Sequence, residues 1–315
     1  MITPVDVITI SDAAKIWMTR CELEKLERAT LHSYRGHVAN HIERKIGHLL
    51  LTDLSAVHVR EFLDDMLRDS TRAMAKKCLT TLRSIVSAAQ ERGLVLHNVA
   101  RDVKLRRAER HEPDRVFPTK AEIKALIATA PPRHQPLILT AIFTGMRMSE
   151  LRGLTWAAID FQRSIITVRK RADRYCDMGN TKSRSGRREI PMGPQLAKVL
   201  KEWKLSCPAG ELGLVFPNGV GKVETHSNIY NRIFKPLMLE CGIVDDEGTP
   251  RFSLHALRHA AASLFIEQGW PPKKIQTMLG HSSITMTYDV YGHLFHDPAK
   301  DVDLMGEMER GLLAA

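Results

Sequence analysis

With 315 residues, 43% of them hydrophobic, the chain is long enough for two domains that each bury a core without disulfide or metal staples. Its five cysteines (Cys21, Cys78, Cys176, Cys207, Cys241) are odd in number, scattered and free of any C-x-x-C pair, which argues against a disulfide framework or a zinc site and fits a reducing cytoplasm. No apolar run approaches the roughly 18 residues of a membrane span, no signal-peptide pattern opens the chain, and a formal charge of +10 favours a polyanionic partner over a membrane.

Residues 11 to about 105 read as a helical unit of four segments. Ser11 is the expected cap of the first, which carries Ala14, Ile16 and Trp17. The second covers Leu31 to Ile46, with Tyr34, Val38 and Ile42 at fourfold spacing, and ends at Gly47. The third starts at Ser55 and places Val57, Val59, Phe62, Leu63 and Leu67 on its apolar side; the fourth runs from about Thr71 to Arg92 and stops at Gly93. On that fourth helix Lys76, Lys77 and Arg83 suit either DNA backbone contacts or a solvated face.

The stretch 101–118 is charged, poor in large apolar residues and punctuated by Pro113 and Pro118, which places a linker at 109–118 between a helical domain at 1–108 and a second domain at 119–315. Arg106 and Arg107 lead into it as further candidates for DNA contact. Thr119 and Glu122 form an expected capping box for the next helix. Helical text continues to Phe143, breaks at Thr144-Gly145, and resumes through Ser149, Glu150 and Leu154. From Ile165 to Met192 two strand-like runs, IITVR and REIPM, imply a small sheet set among helices. Nine Lys or Arg between 163 and 188 (Arg163, Arg169, Lys170, Arg171, Arg174, Lys182, Arg184, Arg187, Arg188) face two Asp, the charge pattern of a phosphate-facing surface. Helices return at Pro194–Trp203, Ser227–Cys241, Ser253–Gln268, Pro271–Leu279 and Ile284–Tyr291.

Three segments of the second domain concentrate chemistry. In TGMRMSEL, Arg147 follows a helix break and Glu150 lies one turn on, an i, i+3 pair that also suits a plain structural ion pair. In SLHALRHAAASLF, Ser253 is the expected cap, His255 and Arg258 share a face, and His259 stands at i+4 from His255. That histidine pair lacks the Glu of an H-E-x-x-H metal site and any evident third ligand. In MLGHSSITMTYDVYGHLF, His281 follows a helix stop at Gly280, and a short helix carries Tyr288 and Tyr291. Two arginines, three histidines, a lysine and a tyrosine, with no carboxylate cluster, suit phosphoryl transfer in which cations stand in for a metal and no cofactor is needed.

The order Arg, Lys, His-x-x-Arg, Leu-Gly-His, Tyr resembles the active site of the tyrosine recombinase, or phage integrase, family, over essentially the whole chain from about residue 11. The resemblance implies a mainly α (α+β) fold, with a helical, SAM-like core-binding domain followed by a mostly helical catalytic domain holding a small antiparallel sheet. It implies a site-specific recombinase that cleaves and rejoins DNA through a 3′-phosphotyrosyl link in integration or excision of a mobile element. In that reading Arg147 and Arg258 grip the scissile phosphate and Lys182, expected in a hairpin, protonates the leaving 5′-oxygen. His255 exchanges a proton with the nucleophile, His281 bonds the phosphate, Tyr291 attacks, and Glu150 orients Arg147 from behind. Arg184 and Arg187 join the DNA-binding set.

The implied partners are double-stranded DNA bearing specific recombination sites, further copies of the chain (a homotetramer on synapsed DNA, a monomer in free solution), and an accessory DNA-bending or directionality factor. The two domains would close as a C-shaped clamp on nucleoid DNA. With about ten residues ahead of the first helix, binding to distant arm sites is not expected. A DNA-binding regulator that has lost cleavage, and a type IB topoisomerase-like enzyme, are the competing readings. After Pro298, Val302, Met305, Met308 and Leu312 form the apolar stripe of a short helix that must bury it on its own domain or on a neighbouring protomer.

Overall fold

The computed structural model describes residues 8–106, 116–295 and 298–313 and falls into two compact units, Met1–Pro113 and Asp114–Ala315. The linker positions 109–115 and the DNA-contact candidate Arg107 lie outside the described residues.

In the first unit α1 (Ile10–Leu23) is capped by Thr9, whose side chain accepts from the Asp12 amide while Asp12 reaches back, so the cap stands two residues before the expected Ser11. The next helix, α2 (Arg28–His37), continues through a π-helical turn at Val38–Ile42 into α3 (Glu43–Ile46). Its fourfold spacing sends Val38, Ile42 and Ile46 into the core, and Tyr34 packs on Trp17 at 4.8 Å between ring centroids. Ser55 caps α4 (Ala56–Asp69) as expected, which buries Val59, Phe62, Leu63 and Met66 but leaves Val57 60% exposed, off the stripe assigned to it. Thr71 caps α5 (Arg72–Glu91), the helix with the longest buried face in this unit.

In the second unit Thr119 and Glu122 close the expected capping box on α6 (Lys120–Thr129). Behind it α7 (Gln135–Thr144) is buried almost throughout and ends on Gly145 at φ +59°, where an added Cβ would come within 2.5 Å of Leu279. After α8 (Met148–Arg152), strands β1 (Ile159–Asp160), β2 (Ile165–Val168) and β5 (Arg188–Pro191) make an antiparallel sheet in the order β1-β2-β5. Strands β3 (Lys170–Ala172) and β4 (Met178–Asn180) form a separate two-stranded ribbon. The expected hairpin around Lys182 is therefore a connection, residues 181–187, between two different sheets.

Helix α9 (Pro194–Ser206) covers the core, followed by α10 (His226–Asn228), which runs through a π-helical turn into α11 (Lys235–Glu240). Four helices close the chain, α12 (Ala256–Glu267), α13 (Pro272–Leu279), α14 (Ile284–Tyr291) and α15 (Pro298–Leu313), with Arg258 on α12, His281 just past α13 and Tyr291 at the end of α14. The N-cap of α12 is His255 rather than Ser253, whose carbonyl instead accepts the Ala256 amide. The architecture is mainly helical with a small antiparallel sheet, and no described helix is long and apolar enough to cross a membrane.

Candidate active site

The site is organised by the C-terminus of α13. The last carbonyls of a helix have no partner within it and sit at the negative end of its dipole, so they attract cations. Here three consecutive carbonyls each take one arginine. Met278 accepts from Arg188 Nε at 2.6 Å, Leu279 from Arg258 Nη2 at 2.6 Å and Gly280 from Arg147 Nη2 at 2.8 Å. The N-cap of α8 and residues of β5 and α12 are drawn to one point in this way. Gly280 permits it: its φ is +68°, and an added Cβ would stand 2.8 Å from the Ser185 carbonyl and 3.0 Å from Arg188 Nη1.

Three guanidiniums this close repel one another, and one carboxylate answers them. Glu150, 2% exposed, receives Arg188 Nη2 at 2.9 Å, Arg147 Nη1 at 2.9 Å and the Arg147 amide at 2.9 Å. Burial pushes its carboxyl up, but the charge and hydrogen bonds of Arg188, then those of Arg147, outweigh that and hold it below the usual range. Arg258 also spends Nη1 on the Gly145 carbonyl at 2.7 Å. Burial, followed by the charge of Arg147, lowers its pKa to about 9, so it is still a cation at neutral pH. The cluster keeps a net positive charge in a sheltered setting, which an anion would relieve.

His281 sits just past Gly280, 7% exposed, with Nδ1 2.9 Å from the hydroxyl of the fully buried Thr287. Burial and then Arg258, Arg147 and Arg188 drive its pKa down to about 4, leaving a neutral imidazole. His255 is exposed at the head of α12, and desolvation followed by Arg258 and Arg147 also lowers its pKa. Tyr291 is only 1% exposed; its ring lies parallel to that of His281 at 6.5 Å between centroids, and its hydroxyl is 2.7 Å from His259 Nδ1. Tyr288, by contrast, is 49% exposed and packs on Phe295 at 5.8 Å.

Of the expected site residues, Arg147, Glu150, Arg258, His281 and Tyr291 are thus brought together, with His255 at the lip. Lys182 is exposed on the 181–187 connection, whose far end is tied to the cluster because Gly186 accepts from Arg188 Nη1 at 3.1 Å. Arg184 and Arg187 are exposed on the same connection, as are Lys76 and Lys77 on α5 and Arg106 at the end of the first unit. Two expectations need correcting. Arg83 is half-buried and spends Nε and Nη2 on the carbonyls of Ala100 and Val103 at 2.9 and 2.5 Å, so it anchors its own unit. Arg188, counted in the phosphate-facing run, is buried at 7% exposure as the partner of Glu150.

Sequence reasoning missed the roles of Arg188, His259 and Thr287. The alternation of β5, which turns Arg188 and Ile190 inward, was a usable signal for the first. For the others, Thr287 lies one helical turn before Tyr291, but nothing local pairs His259 with a residue 32 positions away. Among the described residues no group of three His, Cys, Asp or Glu is placed to hold a metal ion.

Comparison with known proteins gives these positions a context. Residues 117–297 match the model of the phage integrase family. A tyrosine recombinase XerC-like protein of Caldanaerobacter subterraneus subsp. tengcongensis is 24% identical over 318 aligned positions, covering 91% of this chain and 80% of that protein. The Tn1549 transposon integrase, solved in complex with a circular intermediate DNA, superposes with a TM-score of 0.78 at 21% identity, covering 96% of this chain and 99% of that one. A lambda integrase tetramer bound to a Holliday junction superposes at 0.70 with 19% identity, covering 88% and 79%. At these identities the two structural likenesses concern the fold.

Proposed function

The chain belongs to the phage integrase family, and on that premise we propose how it acts as a tyrosine-type site-specific DNA recombinase, which of its residues do the work, and in what assembly. Arg147 and Arg258 hold the non-bridging oxygens of the scissile phosphate in the cationic hollow at the end of α13. Both guanidiniums are pinned by backbone carbonyls at 2.6 to 2.8 Å, so little reorganisation is needed when charge builds up on the phosphoryl group. Neutral His281 adds a hydrogen bond from Nε2, with Thr287 fixing its other nitrogen. Tyr291 attacks phosphorus, the P–O5′ bond breaks, and Lys182 gives the departing 5′-oxygen its proton. His255, exposed at the head of α12, carries protons between the nucleophile's side and solvent. Positive charge from arginines takes the place of a metal, so cleavage proceeds without one.

The observation that carries this reading is the placement of Tyr291, sheltered beside Arg258 and His281 with its hydroxyl on an imidazole, while Tyr288 faces outward. A pool of nicked duplexes with a randomised core, incubated with the protein and denatured, tests it. Protein–DNA adducts should survive denaturation, with the phosphate on Tyr291. Tyr291→Phe is expected to abolish them and Tyr288→Phe to keep them; the reverse pattern refutes the assignment.

For DNA binding, Lys76, Lys77 and Arg106 in the first unit and Arg184 and Arg187 in the second serve as backbone contacts; the first unit is the core-binding domain and the second the catalytic one. On recombining DNA four copies assemble, with an accessory DNA-bending or directionality factor as an added partner, and the host compartment is the nucleoid. In α15, Val302, Met305, Met308 and Leu312 are 71, 55, 50 and 77% exposed, an apolar stripe that the described residues leave open. It docks on a neighbouring copy and links cleavage to assembly. Deleting residues 300–315 is then expected to leave binding to one site intact and to abolish synapsis and recombination, read by gel shift and by a two-site plasmid assay. Recombination at the full-length rate would remove the segment from this role.

A further inference from the structure

We propose that His259, which stands outside the set Arg147, Lys182, His255, Arg258, His281 and Tyr291, is the catalytic group that takes the phenolic proton of Tyr291 during cleavage and returns it during resealing. The proposal rests on Tyr291 being the nucleophile. Helices α12 and α14 put His259 Nδ1 2.7 Å from Tyr291 Oη, although the residues are 32 positions apart. Phe117 packs against both rings, 5.0 Å from that of His259 and 5.7 Å from that of Tyr291 between centroids. Tyr291 is 1% exposed, so bulk water does not reach the hydroxyl to accept its proton.

A phenol with an ordinary pKa of about 10 is almost wholly protonated at neutral pH and must shed its proton as the new bond forms. The acceptor has to stand within hydrogen-bond reach of Oη, and His259 Nδ1 does. His255 is one ring further off: it meets His259 edge-on at 4.9 Å between centroids and opens to solvent, which gives the relayed proton a way to the surface.

The step balances with groups already in place. As the Tyr291 Oη–P bond forms and the P–O5′ bond breaks, the phenolic proton moves to His259 Nδ1 and Lys182 protonates the 5′-oxygen. In resealing the 5′-hydroxyl attacks phosphorus and loses its proton to Lys182, while His259 protonates the departing Tyr291 oxygen. The imidazolium formed in the first step is offset by the negative charge the phosphate brings among Arg147, Arg188 and Arg258.

The test uses the full-length protein and a duplex recovered from the randomised nicked pool by covalent capture. In His259→Asn the amide can still meet the hydroxyl but cannot take its proton. Single-turnover formation of the covalent adduct is expected to slow about a hundredfold or more, with affinity for the duplex unchanged. Placing a trifluorotyrosine at 291, whose phenol ionises near neutral pH, should then return about tenfold or more of the lost rate in the Asn variant and little in the unaltered protein. A merely structural His259 would not be rescued by that change. Full-rate cleavage by His259→Asn, or a slow variant that the fluorinated phenol leaves slow, overturns the proposal. If the Asn variant melts below the unaltered protein, His259→Gln takes its place in the same comparison. Failure of the unaltered protein to form an adduct on Tyr291 would instead sink the nucleophile assignment, so the two failures are separable.

Discussion

Replacing Arg188 by methionine is expected to destabilise the second unit by about 3–5 kcal/mol, because it leaves a buried carboxylate short of its main partner. Glu150 and Arg188 have side chains only 3% and 2% exposed, and their contact at 2.9 Å lies beneath the arginine cluster. The substitution also strips donors from the Met278 and Gly186 carbonyls, which Arg188 meets at 2.6 and 3.1 Å. Each such group loses its partner without gaining water. Three of the four tryptophans, Trp156, Trp203 and Trp270, lie in the second unit, so urea unfolding followed by their fluorescence reads it with Trp17 alone from the first. The neighbouring Arg187→Met, at an exposed site, serves as the comparison and should stay within about 0.5 kcal/mol. Equal midpoints for the two variants would show that the buried pair carries no such weight. Loss of Arg188 should also slow covalent adduct formation in protein that remains folded, because Glu150 would no longer be held where it orients Arg147.

That pair also shows where the sequence was legible and where it was not. Local chemistry was readable. Ser55, Thr71 and the Thr119–Glu122 box start helices where expected, and Gly145 and Gly280 end them in the left-handed conformation that their positions require. The members of the arginine–histidine–tyrosine set could be named from motif order, since the motif fixes residue type and spacing. What the motif does not contain is the support behind each member. Arg188 sits in a run of cations whose common sign suggests a common surface, yet strand alternation turns it away from Arg187 and toward Glu150, 38 positions earlier. Arg83 looks equally exposed on a helical wheel, but the chain beyond α5 folds back and claims its donors. His259 follows Arg258 directly, so the two point in different directions from one helix; only the packing of α14 reveals what His259 meets. In each case a long-range contact decided the matter; strand alternation hints at the place of Arg188, while nothing local marks the partners of Arg83 and His259.

Acid is expected to unfold the second unit well before ordinary carboxylate protonation would, with His281 the largest single cause. Its pKa is about 4 in the folded chain against an ordinary 6.5. Because the folded value is depressed, the unfolded chain binds this proton more readily below about pH 6.5, so stability falls as pH falls and levels off only below about pH 4. The separation corresponds to about 3 kcal/mol, at 1.36 kcal/mol for each unit. His255, His134 and His226, also lowered, by burial first and then by nearby arginines, act in the same direction across the upper part of that window. Glu150, held low by Arg188 and Arg147, adds its loss only at more acid pH. The cause is local: a protonated His281 would be one more cation beside Arg147, Arg188 and Arg258, with Glu150 as their shared counter-charge. Urea midpoints of the unaltered protein and of His281→Asn, followed between about pH 7 and about pH 4, separate this contribution, because asparagine keeps a polar side chain but does not titrate. The variant should start less stable at neutral pH and lose about 3 kcal/mol less on acidification, so that the two curves converge toward pH 4. Curves that run parallel over the whole range would mean that His281 is not held neutral by the arginines around it.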